Sequence, residues 1–289
     1  MTAATAAGLR HPGPAAPERI VAVPARTRAV AVDLPAGAGL AAALQDAVHR
    51  LGVTAAQVEL LGGTLREVSY CIPAYCADGS RAAHYSATRG SAGPVAVVAG
   101  AAGIGTRDGA PFTHAHVAWV DRAGSLLGGH LWPATTVGAT GVQALVFPLA
   151  GVCNESAEDP ETLLPVFTPR PTAGTGDGAR AVTARVRPGA DLLAAATRIC
   201  ADAGFRRAMV RGTLGSLVGP LFPGAGRAAA GPCTEVISVR GVVGPDAGPS
   251  ELHALAVDSD GVVHGGVFDP AASPVAVTVE LLLIEVVDR

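Results

Sequence analysis

Short alternating stretches and one helical period organise this chain. The residues before Pro35, "RAVAVDL" (Arg28 to Leu34), predict a strand. "PAGAGLAAALQDAVHRLG" follows and predicts an amphipathic helix, with Gly52 placed to cap its C-terminus. Next comes a run of short strands separated by Gly-rich turns. The closing "VAVTVELLLIEVVDR" is apolar except where Glu280 and Glu285 punctuate it, and it predicts a buried strand.

The same order then returns. "RAVAVDLPAGAGL" from Arg28 lies over "RAVTARVRPGADL" from Arg180 at an offset of 152, matching Gly37 to Gly189 and Leu40 to Leu192. Gly52 matches Gly204, Gly63 matches Gly212, and Gly100 matches Gly241. "HAHVAWVDRAGSLLGGH" lies over "ELHALAVDSDGVVHGGV" at an offset of 137, so Asp121 meets Asp258 and Gly124 meets Gly261. The pattern predicts an α+β fold in two tandem copies, each a mixed, mostly antiparallel sheet with one main helix. Residues 28–149 form the first copy and 180–289 the second. Residues 1–27 read as a disordered tail. Residues 150–179, ending in "TPRPTAGTGDGA", read as a linker.

Composition narrows the picture. Of 289 residues, 49% are hydrophobic and only 4% aromatic, so the core must be built from Ala, Val and Leu. The 37 Gly and 22 Pro suit many tight turns. The net charge of −3 and the lack of a basic stripe disfavour nucleic acid as a partner. No apolar run is long enough to span a membrane, and the N-terminus lacks the pattern of a signal peptide. The five cysteines are scattered and odd in number, which fits reduced thiols and a cytoplasmic location. Cys71 and Cys76 form a C-x4-C pair, read as structural.

The candidate chemistry sits in "FTHAHVAWVDRAGSLLGGHLWP", Phe112 to Pro133. Two strands flank the loop "RAG", where Gly124 suits the left-handed position of a three-residue hairpin loop. If Asp121 pairs with Ser125, His116 lies opposite His130, and His114 shares the face of His116. Three imidazoles with an open fourth position suit a divalent metal, Zn²⁺ above all. The glycines beside His130 permit close backbone approach. In the second copy the positions become Glu251, His253 and Val267, with Glu251 facing Asp269: a degenerate site or a separate polar cluster. His264 aligns with Leu127 and His49 lies near a helix C-terminus; neither suggests a role beyond structure. "GAAGIGTRDG" has glycines spaced as in a phosphate loop, but a strand follows it instead of a helix.

The H-x-H strand, the D-x-x-G turn and the G-G-H-L strand, preceded by "VAVVAGAAG", resemble the plants-and-prokaryotes conserved (PCC or PPC) domain. The resemblance is strong over residues 28–149 and is carried by Gly and Asp landmarks over 180–289. It implies the fold shared with acetolactate decarboxylase, a two-domain enzyme whose zinc is held by an H-x-H pair and a later His. It also implies a homo-oligomer, dimer or trimer. The R-G-R-P arm of some plant members is absent.

The expected function is a metal-dependent lyase, a decarboxylase or a hydratase/dehydratase, acting on a small keto- or hydroxy-carboxylate. Such chemistry needs an acid or base within reach. Candidates are Glu67, Tyr70 and Tyr85 and, across a domain interface, Glu251 and His253. Arg81, Arg89 and Arg107 are the cations available for a substrate carboxylate. Arg107 is favoured because its Gly-rich loop leads straight into the H-x-H strand. The alternative is a non-catalytic regulatory or DNA-associated module with a structural metal, which would need a fourth protein ligand.

Overall fold

The computed structural model describes residues 9–174, 176–227, 231–248 and 250–287. The first copy comprises β2 (Val30–Leu34), α1 (Leu40–Arg50), β3 (Ala56–Cys71), β4 (Arg89–Arg107), β5 (Ala110–Val120), β6 (Leu126–Leu131) and β7 (Thr136–Pro148), after β1 (Ile20–Thr27). β8 (Val152–Glu158) and β9 (Pro165–Pro171) follow it. The second copy comprises β10 (Ala179–Val186), α2 (Leu192–Ala203), β11 (Ala208–Leu217), β12 (Thr234–Val243), β13 (Leu252–Val257), β14 (Val263–Val267) and β15 (Val275–Glu285).

The duplication holds at the level of topology. The first copy pairs its strands in the order β2-β7-β3-β4-β5-β6, and the second in the order β10-β15-β11-β12-β13-β14. One difference separates them. β6 also returns to β3, pairing Tyr70 with Leu131 and Cys71 with His130, so four strands of the first copy close into a ring. Gly129 makes that closure possible: a Cβ there would lie 2.5 Å from the Cys71 carbonyl oxygen.

Both helices bury an apolar stripe at helical spacing. In α1 it is Leu40, Ala43, Leu44, Ala47 and Val48; in α2 it is Leu192, Ala195, Ala196, Ile199 and Cys200. Asp191 caps α2 by accepting from the Ala194 amide at 2.9 Å, and Gly204 ends it in the left-handed region. In α1 the cap residue is Leu51, with Gly52 just beyond it. No helix among the described residues is long and apolar enough to cross a membrane.

Two expected boundaries need correction. Ile20–Thr27 is not tail: it pairs residue for residue with β10 and completes the edge of the second copy's sheet. The alternation in "IVAVPART" buries Val23, Ala25 and Thr27. Residues 1–8 of the predicted tail lie outside the described residues. Residues 150–179 are not a plain linker either. β8 runs parallel to the far end of β4, pairing Glu155 with Thr106, and β9 pairs with β8. Their Gly- and Pro-rich flanks obscured two short strands, whose pattern was too brief to outweigh composition.

The two copies pack directly on each other. Ile237 and Val257 of the second copy belong to the same core as Leu60, Val117 and Trp119 of the first. Glu59 on β3 spans the contact. It accepts from Arg211 Nε and Nη2, both at 2.8 Å, and from the Gly212 amide at 2.9 Å, and Arg240 lies 3.1 Å away. Burial pushes its carboxyl up, but the Arg211 hydrogen bonds, the Gly212 amide and Arg240 outweigh that and hold it below its ordinary value.

Candidate metal centre

The β5–β6 hairpin has the register its turn glycine dictates. Gly124 sits at φ +81°, and the Asp121 amide donates to the Ser125 carbonyl at 3.0 Å. The Asp121 carboxylate accepts from the amides of Ala123 and Ser125, both at 2.9 Å, which explains the aspartate of the D-x-x-G turn. Asp258 makes the equivalent bonds with the amides of Asp260 and Val262 in the second copy. His116 therefore stands directly opposite His130. The available nitrogens of His114, His116 and His130 all lie within 4.8 Å of one another.

The imidazoles point into a cavity of about 330 Å³ between the copies. The second copy orients two of them. His114 Nδ1 meets Glu280 Oε1 at 2.5 Å, and His116 Nδ1 donates to the Val236 carbonyl at 2.8 Å. A carbonyl can only accept, so the proton of neutral His116 is on Nδ1 and its Nε2 is a bare acceptor. With Glu280 ionised, the same holds for His114. Those two Nε2 atoms face each other at 3.0 Å, and Glu235 Oε2 lies 2.8 Å from His116 Nε2. With both imidazoles neutral, lone pairs converge in a buried site with nothing between them to donate. Glu235 Oε2 and Glu280 Oε2 are both buried without a hydrogen-bond partner. That electrostatic deficit is what a cation relieves, and a set of imidazoles and carboxylates suits a divalent transition metal.

The titration tendencies reflect the same shortage of positive charge, which without a cation a proton on His116 would answer. Burial, then the neighbouring His114 and His116, pushes His130 far below its ordinary value and keeps it neutral, as a metal ligand must be. Burial also opposes charge on His116, but the Glu235 carboxylate outweighs it and raises the value. Tyr85 packs against His130 at 5.1 Å between ring centres; burial, then Glu235, raises its phenol, so it remains a proton donor at neutral pH.

A family model for the Plants and Prokaryotes Conserved (PCC) domain matches the chain twice, over residues 22–149 and 173–287. The chain belongs to the PCC family. Among solved structures, a plant- and prokaryote-conserved protein from Pyrococcus horikoshii is 20% identical, with a TM-score of 0.39, covering 49% of this chain and 93% of its own. A metal-containing protein from Archaeoglobus fulgidus is 22% identical, with a TM-score of 0.39, over 49% of this chain and 94% of its own. A protein from Ralstonia eutropha JMP134, described as a candidate DNA-binding protein, is 18% identical, with a TM-score of 0.39, over 47% of this chain and 88% of its own. No curated protein sequence matches the chain.

In this tandem PCC protein the copies contribute different groups. The first supplies the imidazoles, and the second supplies Glu235 on β12 and Glu280 on β15. Sequence reasoning missed both as site residues. The signal was present for Glu280, a carboxylate set in an almost wholly apolar buried strand; Glu235 shares its strand with Thr234, Ser238 and Arg240 and does not stand out. Of the expected residues, Tyr85 and Arg107 line the cavity, Arg107 with its guanidinium 5.6 Å from the Phe112 ring.

Three expected candidates are corrected by their positions. Glu67 is exposed on β3 and lies 3.9 Å from Arg66. Glu251 and His253 are exposed on the second copy, and neither lines the cavity, because that copy presents other strands to the histidines. Glu251 does not build a polar cluster with Asp269, whose carboxylate accepts from the amides of Ala271 and Ala272. Tyr70 is buried against Trp119, and Arg81 donates to the Leu163 carbonyl at 2.7 Å. Arg89 pairs with Tyr70 at the strand end, outside the cavity lining. His264 pairs with Asp258 at 2.7 Å.

The second copy's hold on the ligands has a measurable consequence. Glu280→Gln keeps the shape of the side chain but weakens its hold on His114 Nδ1, and metal affinity should fall about 10–100-fold. A methyl on Gly103 would lie 2.0 Å from Glu280 Oε2, so Gly103→Ala should displace the carboxylate and give a loss of the same order. Competition with a chromophoric chelator measures both.

Proposed function

We propose that this protein is a metal-dependent lyase acting on a small keto- or hydroxy-carboxylate. The observation that carries the reading is the meeting of three imidazoles with two buried, unsatisfied carboxylate oxygens in one cavity. His114, His116 and His130 would hold the ion, most simply Zn²⁺. When bound, it supplies Lewis-acid polarisation of a substrate oxygen.

The remaining work falls to the chain's own side chains. Arg107 at the cavity wall is placed to receive the substrate carboxylate as a guanidinium fork. Glu235, which lines the cavity, is the group available to take or return a proton at the reacting carbon. Tyr85 can donate a hydrogen bond to a substrate oxygen. Glu280 orients His114 and Val236 orients His116, so both act through the ligands.

One observation favours the second reading, a regulatory module with a structural metal: Glu235 Oε2 stands where a fourth ligand could bind. Elemental analysis and X-ray absorption of the purified protein, followed by a turnover screen of 2-oxo and 2-hydroxy acids, separate the two. Bound metal with an exchangeable oxygen ligand and turnover of any member supports the lyase. Bound metal with a fixed Glu235 carboxylate and no turnover supports the module.

A further inference from the structure

The cavity is less polar than its floor of histidines and carboxylates suggests. Its volume of about 330 Å³ lies at the low end of small-molecule sites, typically about 300–1,000 Å³. Part of its wall is a hydrophobic cluster containing Leu164, Val166 and Val277, with Phe167 beside them in the lining. Apolar walls of this kind hold water poorly and lose dispersion contacts when nothing fills them.

The same lining carries donors without acceptors. Trp132 Nε1 and Thr278 Oγ1 are both buried and lack a hydrogen-bond partner. Thr278 is only 6% exposed. Arg107 has no carboxylate within ion-pair reach among the described residues, and its guanidinium lies 5.6 Å from the centre of the Phe112 ring. A ligand that satisfies this cavity needs oxygen acceptors at one end and an apolar body at the other. A bare three-carbon acid satisfies the donors and leaves the hydrophobic wall uncovered.

We infer that the site binds 2-oxo or 2-hydroxy acids bearing a branched-aliphatic or aromatic side chain, with the side chain against Leu164, Val166 and Val277. This rests on the metal-dependent reading of the same site and narrows its substrate class. Much of the selective wall comes from the segment between the copies, since Leu164 precedes β9 and Val166 lies within it. The duplication therefore builds the reactive floor, and the connecting segment sets the size and polarity of the accepted side chain.

The test is calorimetric titration of the metal-loaded full chain with pyruvate, 2-oxobutanoate, 2-oxopentanoate, 4-methyl-2-oxopentanoate and phenylpyruvate. Affinity should rise about fourfold for each methylene added and buried. Val166→Phe, which fills the wall, should weaken binding of the two bulkiest acids about tenfold or more and leave pyruvate unchanged. Leu164→Phe is a second filling variant should the first not fold, and the wild-type series decides independently of both. Constant or falling affinity along that series overturns the inference while leaving the lyase reading in place. Retained metal with no binding of any of the five acids overturns both.

Discussion

His116→Ala is expected to yield protein that copurifies without metal and whose melting temperature no longer responds to added Zn²⁺. His116 is 2% exposed, stands opposite His130, and presents Nε2 to both His114 and Glu235. Removing it takes one of three imidazoles and leaves His114 and His130 without the ligand that joins them. The loss should exceed the about 10–100-fold expected for an orienting residue such as Glu280. A metal bound there would also act as a stabilising ligand for the wild type. At about 100 times its dissociation constant it adds about 2.7 kcal/mol to folding stability. The wild type should therefore melt higher with metal than with chelator, and the variant should melt alike in both. Comparison under chelator isolates the cost of the lost hydrogen bond to Val236, about 1–3 kcal/mol if that carbonyl stays unpaired. A variant that retains metal at wild-type content would sink the assignment of the centre.

The largest effect on stability should come from Asp159→Asn, outside the histidine cluster. Asp159 is 2% exposed, with Arg185 at 2.8 Å and Arg187 at 3.1 Å. The Thr162 amide and hydroxyl also donate to it, both at 3.1 Å. Arg185 is equally buried, so neutralising Asp159 leaves a cation without its counter-charge in the interior. Breaking such a pair costs about 3–5 kcal/mol, against a typical total of about 5–15 kcal/mol. Urea unfolding of the variant should show a correspondingly lower midpoint at unchanged slope. Asp159 joins the segment between the copies to β10, so the loss should also loosen the wall that holds Leu164.

The same carboxylate sets an acid limit. Burial pushes the Asp159 carboxyl up, but the Arg185 charge and its hydrogen bonds outweigh that and hold it below its ordinary value. Glu59 and Glu161 are lowered in the same way, the latter by Arg19. A lowered carboxyl contributes stability that is fully present above its unfolded value, about 3.9 for Asp and 4.3 for Glu. That stability is lost as pH falls through the folded value. Melting temperature should therefore drop steeply below about pH 4, and the drop should be shallower in Asp159→Asn.

Much of the candidate site was legible in the chain itself. The period of two along a strand, together with one glycine at φ +81°, is enough to put His114, His116 and His130 on one face. Both constraints act over a few residues, so the local sequence contains them completely. The duplication was equally legible, because turn geometry demands Gly and Asp at fixed places. Asp121 and Asp258 make the same turn bonds in both copies.

What the tertiary structure alone decided is what faces those histidines. The alignment pointed to Glu251 and His253, since they occupy equivalent positions in the second copy. The packing of the copies instead brings up β12 and β15, and with them Glu235 and Glu280, more than a hundred residues away. No local period reports which face of one sheet meets which strand of another; that depends on how two whole apolar surfaces fit together. The strands at Ile20–Thr27 and Pro165–Pro171 escaped for a related reason. Each is interrupted by proline, which reads as loop, and each is held in place by its pairing with a partner strand. The sequence by itself determined the three imidazoles and the hairpin that gathers them. The contact between the copies determined the carboxylates, the cavity and its apolar wall.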